Sequence, residues 1–188
     1  MKKLSLLLFL TLVSVFSIQA KDLEKGYRGF VDLNMEFSSY KAYRYIDYTN
    51  LTNLEEYRAS YMLYGVSTSH GYQFNPHFFL GAGVWLQAAA GDIRRHRIEL
   101  PVFLQGRTDW TFGKVPLYFD LRVGISRGAR ELKAVEDKLL ILPSIGYRLD
   151  WGRKVSANFG IGLSLHGGKQ SNNFTFVPLP SVRLGIEF

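Results

Sequence analysis

The chain has 188 residues, a formal net charge of +7 and no cysteine. Its length suits a single domain, and without cysteine it has neither a disulfide framework nor a thiolate metal site. The positive charge is not gathered into a long basic run or a nucleic-acid-binding motif, so we do not expect nucleic acid as a partner. The four histidines show no metal-ligand spacing, and we expect no metal and no cofactor.

An export signal begins the chain. Two lysines are followed by an apolar run that ends at Ile18-Gln19-Ala20. This pattern is typical of a secretory signal peptide, so we expect residues 1–20 to be removed after Ala20 and residues 21–188 to form one domain. An uncleaved anchor is the alternative, but the run is shorter than the roughly 20 residues that a spanning helix needs.

Eight segments of the mature chain alternate between apolar and polar or small side chains, which is the pattern of a β-strand with one dry face. They span 27–40, 59–74, 78–90, 97–110, 116–127, 138–151, 155–166 and 177–188. The connections at 75–77, 111–115 and 152–154 are tight turns, and those at 41–58, 91–96, 128–137 and 167–176 are mostly longer and more polar. Such alternation predicts an all-β fold, an eight-stranded antiparallel up-and-down transmembrane β-barrel with periplasmic termini.

The two faces of these segments differ in polarity. The apolar face, expected to contact lipid, carries Val31, Leu33, Met35, Leu117, Phe119, Leu121, Val123 and Ile125. An Arg on that face costs about 2–4 kcal/mol at the bilayer midplane, so we expect the charged face to line the lumen. The expected lumen ion-pair network comprises Asp32, Glu36, Glu99, Arg107, Asp120, Arg122, Arg148, Asp150 and Arg183.

Aromatic residues and prolines add detail to this barrel. We expect aromatic girdles near the strand ends, with Trp110 and Trp151 at the turn end and Trp85 towards the loop end. Pro101 and Pro143 have no N–H to donate to a ladder, so each predicts a bulge or a frayed pairing.

The last segment has a further implication. Val182, Leu184, Ile186 and Phe188 share one face, and a terminal Phe on such a strand resembles the signal read by the barrel-assembly machinery of Gram-negative bacteria. The chain as a whole resembles small outer-membrane β-barrel proteins common in Bacteroidetes, of the OmpA and OmpX class. The segments that carry this resemblance are 79–84, 100–103, 118–124, 143–147 and 184–188. The resemblance implies the barrel fold and a place in the cell outer membrane, and little about activity. We expect a monomer whose partners are membrane lipid, the phosphates of lipopolysaccharide, which suit the excess Lys and Arg, and the assembly machinery.

A soluble barrel of lipocalin type is the alternative architecture, because alternation alone does not say which face is dry. Its apolar face would line a ligand pocket. Three features favour the membrane: the terminal Phe188, the aromatic strand ends, and the glycines on the polar face.

A lipid-modifying hydrolase is the alternative function. Ser164 and His166 share the inner face near a loop, and some outer-membrane barrels that modify lipid A use a Ser, a His and a carboxylate. In the lipid A deacylase family the His precedes the Ser, whereas here the Ser comes first. Two residues apart on a strand, the pair is also about 7 Å apart, too far for direct proton transfer. We therefore expect a non-catalytic protein.

Two loops are candidates for surface interaction. Arg94, Arg95 and Arg97 form the densest basic patch and suit a lipopolysaccharide phosphate, although a merely solvated, positively charged loop explains them more simply. Loop 41–58 carries four tyrosines, which suit a recognition surface or a strand hairpin that extends beyond the membrane.

Overall fold

A computed structural model describes residues 24–45, 54–91, 98–127, 137–151, 155–170 and 173–188. The expected signal peptide and the three arginines of the basic patch lie outside these residues. The strands are β1 (Gly26–Tyr45), β2 (Leu54–Asn75), β3 (Phe78–Gly91), β4 (Ile98–Glu99), β5 (Val102–Phe112), β6 (Val115–Arg127), β7 (Asp137–Trp151), β8 (Val155–Gln170) and β9 (Asn173–Glu187).

The strands close into a barrel. Their order is β2-β1-β9-β8-β7-β6-β5-β3-β4, and β2 also pairs with β3, so the sheet returns on itself. The short β4 and the longer β5 form one barrel strand, because both pair with β3 in a single register. The prediction of an eight-stranded antiparallel barrel is confirmed. Among the described residues there is no helix long and apolar enough to cross a membrane.

The barrel is apolar outside and polar inside. Leu104 and Ile161 on the outer face are 65% and 54% exposed, whereas Asp120 and Glu36 on the inner face are fully buried. A lipocalin needs the opposite arrangement, with its charges in water and its apolar side chains in a pocket. The soluble alternative therefore does not fit this barrel.

Several strands are longer than the sequence predicts. Residues 41–45 and 54–58 belong to β1 and β2, so the predicted loop 41–58 is wrong at both ends. The predicted loop 167–176 is likewise mostly strand, because β8 continues to Gln170 and β9 begins at Asn173. Paired hairpins continue beyond the apolar belt, where polar side chains no longer mark a membrane-facing strand. Of the loop tyrosines, Tyr43, Tyr45 and Tyr57 lie in strands, which favours the extended hairpin.

The prolines interrupt pairing without changing register. Pro101 falls in the gap between β4 and β5, yet its carbonyl still accepts a hydrogen bond of 2.9 Å from the Trp85 N–H. At Pro143 the β7–β8 pairs stop at Ile141 and resume at Ser144 in the same register. A frayed pairing therefore occurs at both sites. The shift in register falls elsewhere, between Gln73 and Asn75 of β2.

Trp85 is a correction to the predicted girdle. Its side chain is 1% exposed and lies in the lumen, because odd-numbered residues of β3 point inward. Tyr27, Phe112 and Trp151 are highly exposed at the turn end, as an interfacial girdle requires.

Barrel closure predicts a specific cross-link. Leu33 of β1 lies opposite Leu184 of β9, and both face outward. Cysteines at facing positions are within disulfide reach, whereas diagonal neighbours are about 7–8 Å apart and at the limit of that reach. In a chain with no native cysteine, we expect Leu33→Cys with Leu184→Cys to oxidise readily. The off-register pair Leu33→Cys with Val182→Cys is the control, and non-reducing gel mobility of the denatured protein is the measurement. Equal cross-linking of both pairs would contradict the register.

Candidate functional site

The buried charged residues of the described part of the chain lie in the lumen, and arginines organise its lower part, near the turns. The Arg28 guanidinium donates to Glu187 at 2.7 Å and to Asp109 at 2.9 Å. Arg107 donates to the same Asp109 carboxylate from two nitrogens, at 3.0 and 2.8 Å. Its guanidinium also lies 3.9 Å from the centroid of the Tyr118 ring, a cation–π contact. Shared acceptors and stacking hold these long side chains in fixed positions.

A second cluster fills the middle of the lumen. Arg122 donates to Asp32, Asp120 and the Ser67 hydroxyl. Arg183 donates to Asp120 at 2.7 Å and to Ser144 at 2.9 Å. Each carboxylate is fully or almost fully buried, so each depends on these donors in place of water.

Two of these ion pairs, Arg107–Asp109 and Arg122–Asp120, lie along a single strand, but the others cross the barrel. In the circular strand order, β6 lies opposite β1, and the Arg122–Asp32 ion pair joins these two strands. The Arg183–Asp120 ion pair joins β9 to β6, and the Arg28–Asp109 ion pair joins β1 to β5. Side chains that meet across the lumen occupy the space that a pore would need. An eight-stranded barrel has an interior only wide enough for side chains, in agreement with this packing.

An apolar layer lies above the middle cluster, towards the loops. Trp85, Phe103, Leu140 and Leu142 form it, all of them nearly or fully buried. The Arg122 guanidinium contacts its lower surface, 4.9 Å from the centroid of the Phe103 ring. The lumen therefore combines ionic and hydrophobic packing.

The upper part of the lumen, towards the loops, contains the buried Glu36 of β1. Its Oε2 atom lies 2.8 Å from His166 Nε2 and accepts a hydrogen bond of 3.2 Å from Gln87. Elsewhere at this end, Glu99 accepts a hydrogen bond of 2.6 Å from Ser126. Among the described residues, no group of three or more potential metal-binding side chains occurs.

The structure does not assemble a Ser–His–carboxylate triad from the candidate pair. His166 does meet a carboxylate, but the Ser164 hydroxyl is fully buried and has no hydrogen-bond partner. Nucleophile activation needs a Ser–His hydrogen bond. The arrangement thus offers a partly buried His166–Glu36 pair and a separate serine.

The structure places all nine predicted lumen residues inside the barrel and adds three that sequence reasoning missed, Arg28, Asp109 and Glu187. The available signal was the alternation itself. Arg28 shares the parity of Asp32, and Asp109 that of Arg107. Glu187 lies on the polar face of the last strand, the face that the alternation assigns to the lumen.

The terminal strand is fixed at its last residue. Val182, Leu184, Ile186 and Phe188 follow the outward face of β9, the last three exposed. Phe188 exchanges two backbone hydrogen bonds with Gly29, of 2.8 and 3.0 Å. Its ring packs edge-on against His70, which lies 2.5 Å from the Tyr27 hydroxyl. Gly29 admits the ring because a Cβ there would lie 2.7 Å from the Phe188 ring.

Two solved structures are similar to this chain. Neisserial surface protein A matches with a TM-score of 0.56 and 13% identity over 88% of this chain and 98% of its own. The outer membrane protein OprG from Pseudomonas aeruginosa matches with a TM-score of 0.51 and 11% identity over 92% of this chain and 99% of its own. No protein-family model and no curated protein sequence matches. At these identities the likeness shows the fold alone, that of a small outer-membrane β-barrel.

The central ion pairs predict a large loss of stability on removing one partner. Arg122→Met removes the arginine donor of the buried Asp32, whereas Asp120 keeps Arg183, and we expect a loss of about 3–5 kcal/mol in the free energy of unfolding. Adding Asp32→Asn should recover part of this loss, because the stranded charge is removed. Urea unfolding in lipid vesicles, followed by tryptophan fluorescence, measures both. Lys114→Met, at an exposed turn, is the matched control and should change stability by less than about 0.5 kcal/mol. Additive effects of the two lumen substitutions would argue against the pair.

The packing of the terminal ring predicts a role for Gly29 in barrel closure. Gly29→Ala places a methyl group against the Phe188 ring, and we expect a destabilisation of about 1–3 kcal/mol through overpacking. Gly106→Ala is the control, since a Cβ there meets nothing within 4 Å. In the double variant Gly29→Ala with Phe188→Ala the clash disappears, so its loss should be smaller than the sum of the losses in the two single variants. The folded fraction on unboiled gels measures these three variants and the Gly106→Ala control, and equal effects at the two glycines would contradict this account.

Proposed function

We propose that this chain is an outer-membrane β-barrel with a side-chain-filled lumen and a structural or surface-interaction role through its loops. The set of ion pairs across the lumen carries this proposal. Arg122–Asp32 and Arg28–Asp109 join strands on different sides of the barrel, so the interior is packed with side chains. A molecule of this kind contributes a wall and an outer surface to the membrane, and not a channel.

The outer face supports a membrane location. Apolar side chains such as Leu86, Leu104 and Ile186 are more than half exposed, which is costly in water and favourable in hydrocarbon. The aromatic residues at the turn end suit the periplasmic interface. Export through a signal peptide removed after Ala20, a monomeric state and recognition of the terminal strand by the assembly machinery belong to the same proposal.

The absence of catalysis is also a proposal. The Ser164 hydroxyl lies inside the barrel wall without a histidine partner, and His166 is engaged by Glu36. The extended hairpin of β1 and β2 and the basic segment with Arg94, Arg95 and Arg97 are then the surfaces available for lipopolysaccharide or for a partner outside the cell.

Gel mobility tests the membrane barrel. Unboiled protein from the membrane fraction should run faster in SDS than boiled protein, because a closed ladder keeps the barrel compact in detergent. The same sample gives the cellular location and, by mass, the cleaved amino terminus. Soluble periplasmic protein with no shift would overturn the proposal.

Planar-bilayer recording tests the filled lumen. Protein that shows the gel shift should give no large, stable conductance, because charged side chains cross the interior at two levels. A steady open state of porin size would sink the filled-lumen proposal while leaving the membrane barrel intact.

Lipid A analysis tests the non-catalytic role. We expect overexpression of the wild-type chain and of Ser164→Ala to leave the lipid A mass spectrum unchanged and identical. A new lipid A species that requires Ser164 would instead establish the hydrolase.

A further inference from the structure

The ladder between β1 and β9 ends before either strand does. Its last pair is Glu36 with Ser181, although β1 continues to Tyr45 and β9 begins at Asn173. The unpaired stretch of β9 contains Pro178 and Pro180. Above this point β9 pairs with β8 only, and β1 pairs with β2 only.

Strand geometry explains why the ladder stops there. In an antiparallel sheet, the N–H and C=O of one residue face the same neighbouring strand, and those of the next residue face the other. Because Phe188 exchanges both hydrogen bonds with Gly29, every second residue back from Phe188 faces β1. Pro180 and Pro178 are among them. In continued register they lie opposite Phe37 and Ser39, whose carbonyls lose the donors that a regular ladder supplies.

A third proline, Pro143, interrupts the ladder between β7 and β8. The β7–β8 pairs omit Pro143 and Leu163, which would face each other in register. Pro143 thus removes a donor from β8, as Pro180 removes one from β1. The strip of β8 and β9 between these two breaks is less firmly attached to its neighbours than the rest of the wall.

An apolar groove of about 600 Å³ lies on the outer surface across both breaks. Phe37, Ile145, Leu163, Pro180 and Val182 are among its lining residues. Its volume is within the range of small-molecule sites, about 300–1,000 Å³. A much smaller space shares Gly162 and Ser181 with it and extends inward towards the lumen.

We propose that this groove is a binding site for one acyl chain of an outer-leaflet lipid, whose polar end lies at the open seam between β1 and β9. The inference rests on the proposed function, because it needs the outer face to lie in a membrane. A strand crosses the hydrocarbon layer in about 9–11 residues, so counting from Phe188 places Pro180 and Pro178 at its loop end. There the carbonyls of Phe37 and Ser39 face the interface. An amphiphile matches both parts of the site, since its chain fills the apolar groove and a donor in its polar end satisfies backbone acceptors that are costly to leave unpaired.

A photoactivatable lipid tests the site directly. The mature protein is folded into phosphatidylethanolamine vesicles that contain phosphatidylethanolamine with a diazirine on one acyl chain, and the labelled peptides are mapped by mass spectrometry. We expect residues around Phe37, Leu163 and Val182 to carry roughly fivefold more label than the opposite wall around Val84 and Leu86, a factor equal to about 1 kcal/mol. Even labelling of the apolar belt would overturn the proposal.

Two pairs of variants isolate the groove and the seam. Val182→Trp fills the groove and should abolish the enrichment, whereas Val84→Trp on the opposite wall should not. Pro178→Ala with Pro180→Ala returns two donors to the β1 edge and should reduce labelling near Phe37. Pro101→Ala returns a donor to a different ladder and is the matched control. Enrichment that survives both the filled groove and the repaired seam would also refute the site.

The gel shift of each sample separates the two possible failures. A normal shift with even labelling means that the barrel stands and the lipid site does not exist. Loss of the shift in the wild-type protein means that the membrane barrel itself is wrong, and the lipid site falls with it.

Discussion

The closed backbone ladder is the constraint on which the rest of this structure depends. In hydrocarbon no water satisfies a free N–H or C=O, so a sheet crosses the membrane only when its edges meet. Closure of β1 on both β2 and β9 meets this requirement. Once the sheet is closed, the two-residue period assigns every side chain of a membrane-spanning stretch to lipid or to lumen, so the charges of these stretches face the lumen.

The lumen then solves a problem that closure creates. Among the residues that the structure describes, seven carboxylates and five arginines are buried in a space too narrow for bulk water, and a lone buried charge is unstable. Shared ion pairs stabilise these charges: Asp109 pairs with Arg28 and Arg107, and Asp120 pairs with Arg122 and Arg183. Because each shared carboxylate joins several strands, the network fixes the cross-section of the barrel and also neutralises the buried charges. The excess acid is found at the loop end, where Glu36 meets a histidine and Glu99 a serine.

The sequence was sufficient for the fold and for the two faces, because both follow from a period of two. It was insufficient for the strand ends, since β1 and β2 continue into polar sequence where alternation carries no signal. Trp85 was misplaced for a related reason: its size suggested an interface, but its parity with Gln87 places it inside. Which arginine meets which carboxylate depends on barrel stagger and side-chain reach, neither of which a single chain displays. The sequence therefore predicts most of the residues that form lumen ion pairs, but not which of them pair with each other.

The seam at Pro178 and Pro180 is tolerable because the lumen compensates for it from inside. Glu36 is the last β1 residue paired with β9, and its carboxylate meets His166 on β8, so this contact passes over β9 at the level where the ladder ends. Just below, Arg183 ties β9 to β6 and β7 through Asp120 and Ser144. These side-chain contacts hold β9 to the rest of the barrel at the level where the two prolines remove backbone hydrogen bonds. The proposed lipid site therefore lies on the outer side of a stretch of wall that side chains brace from inside.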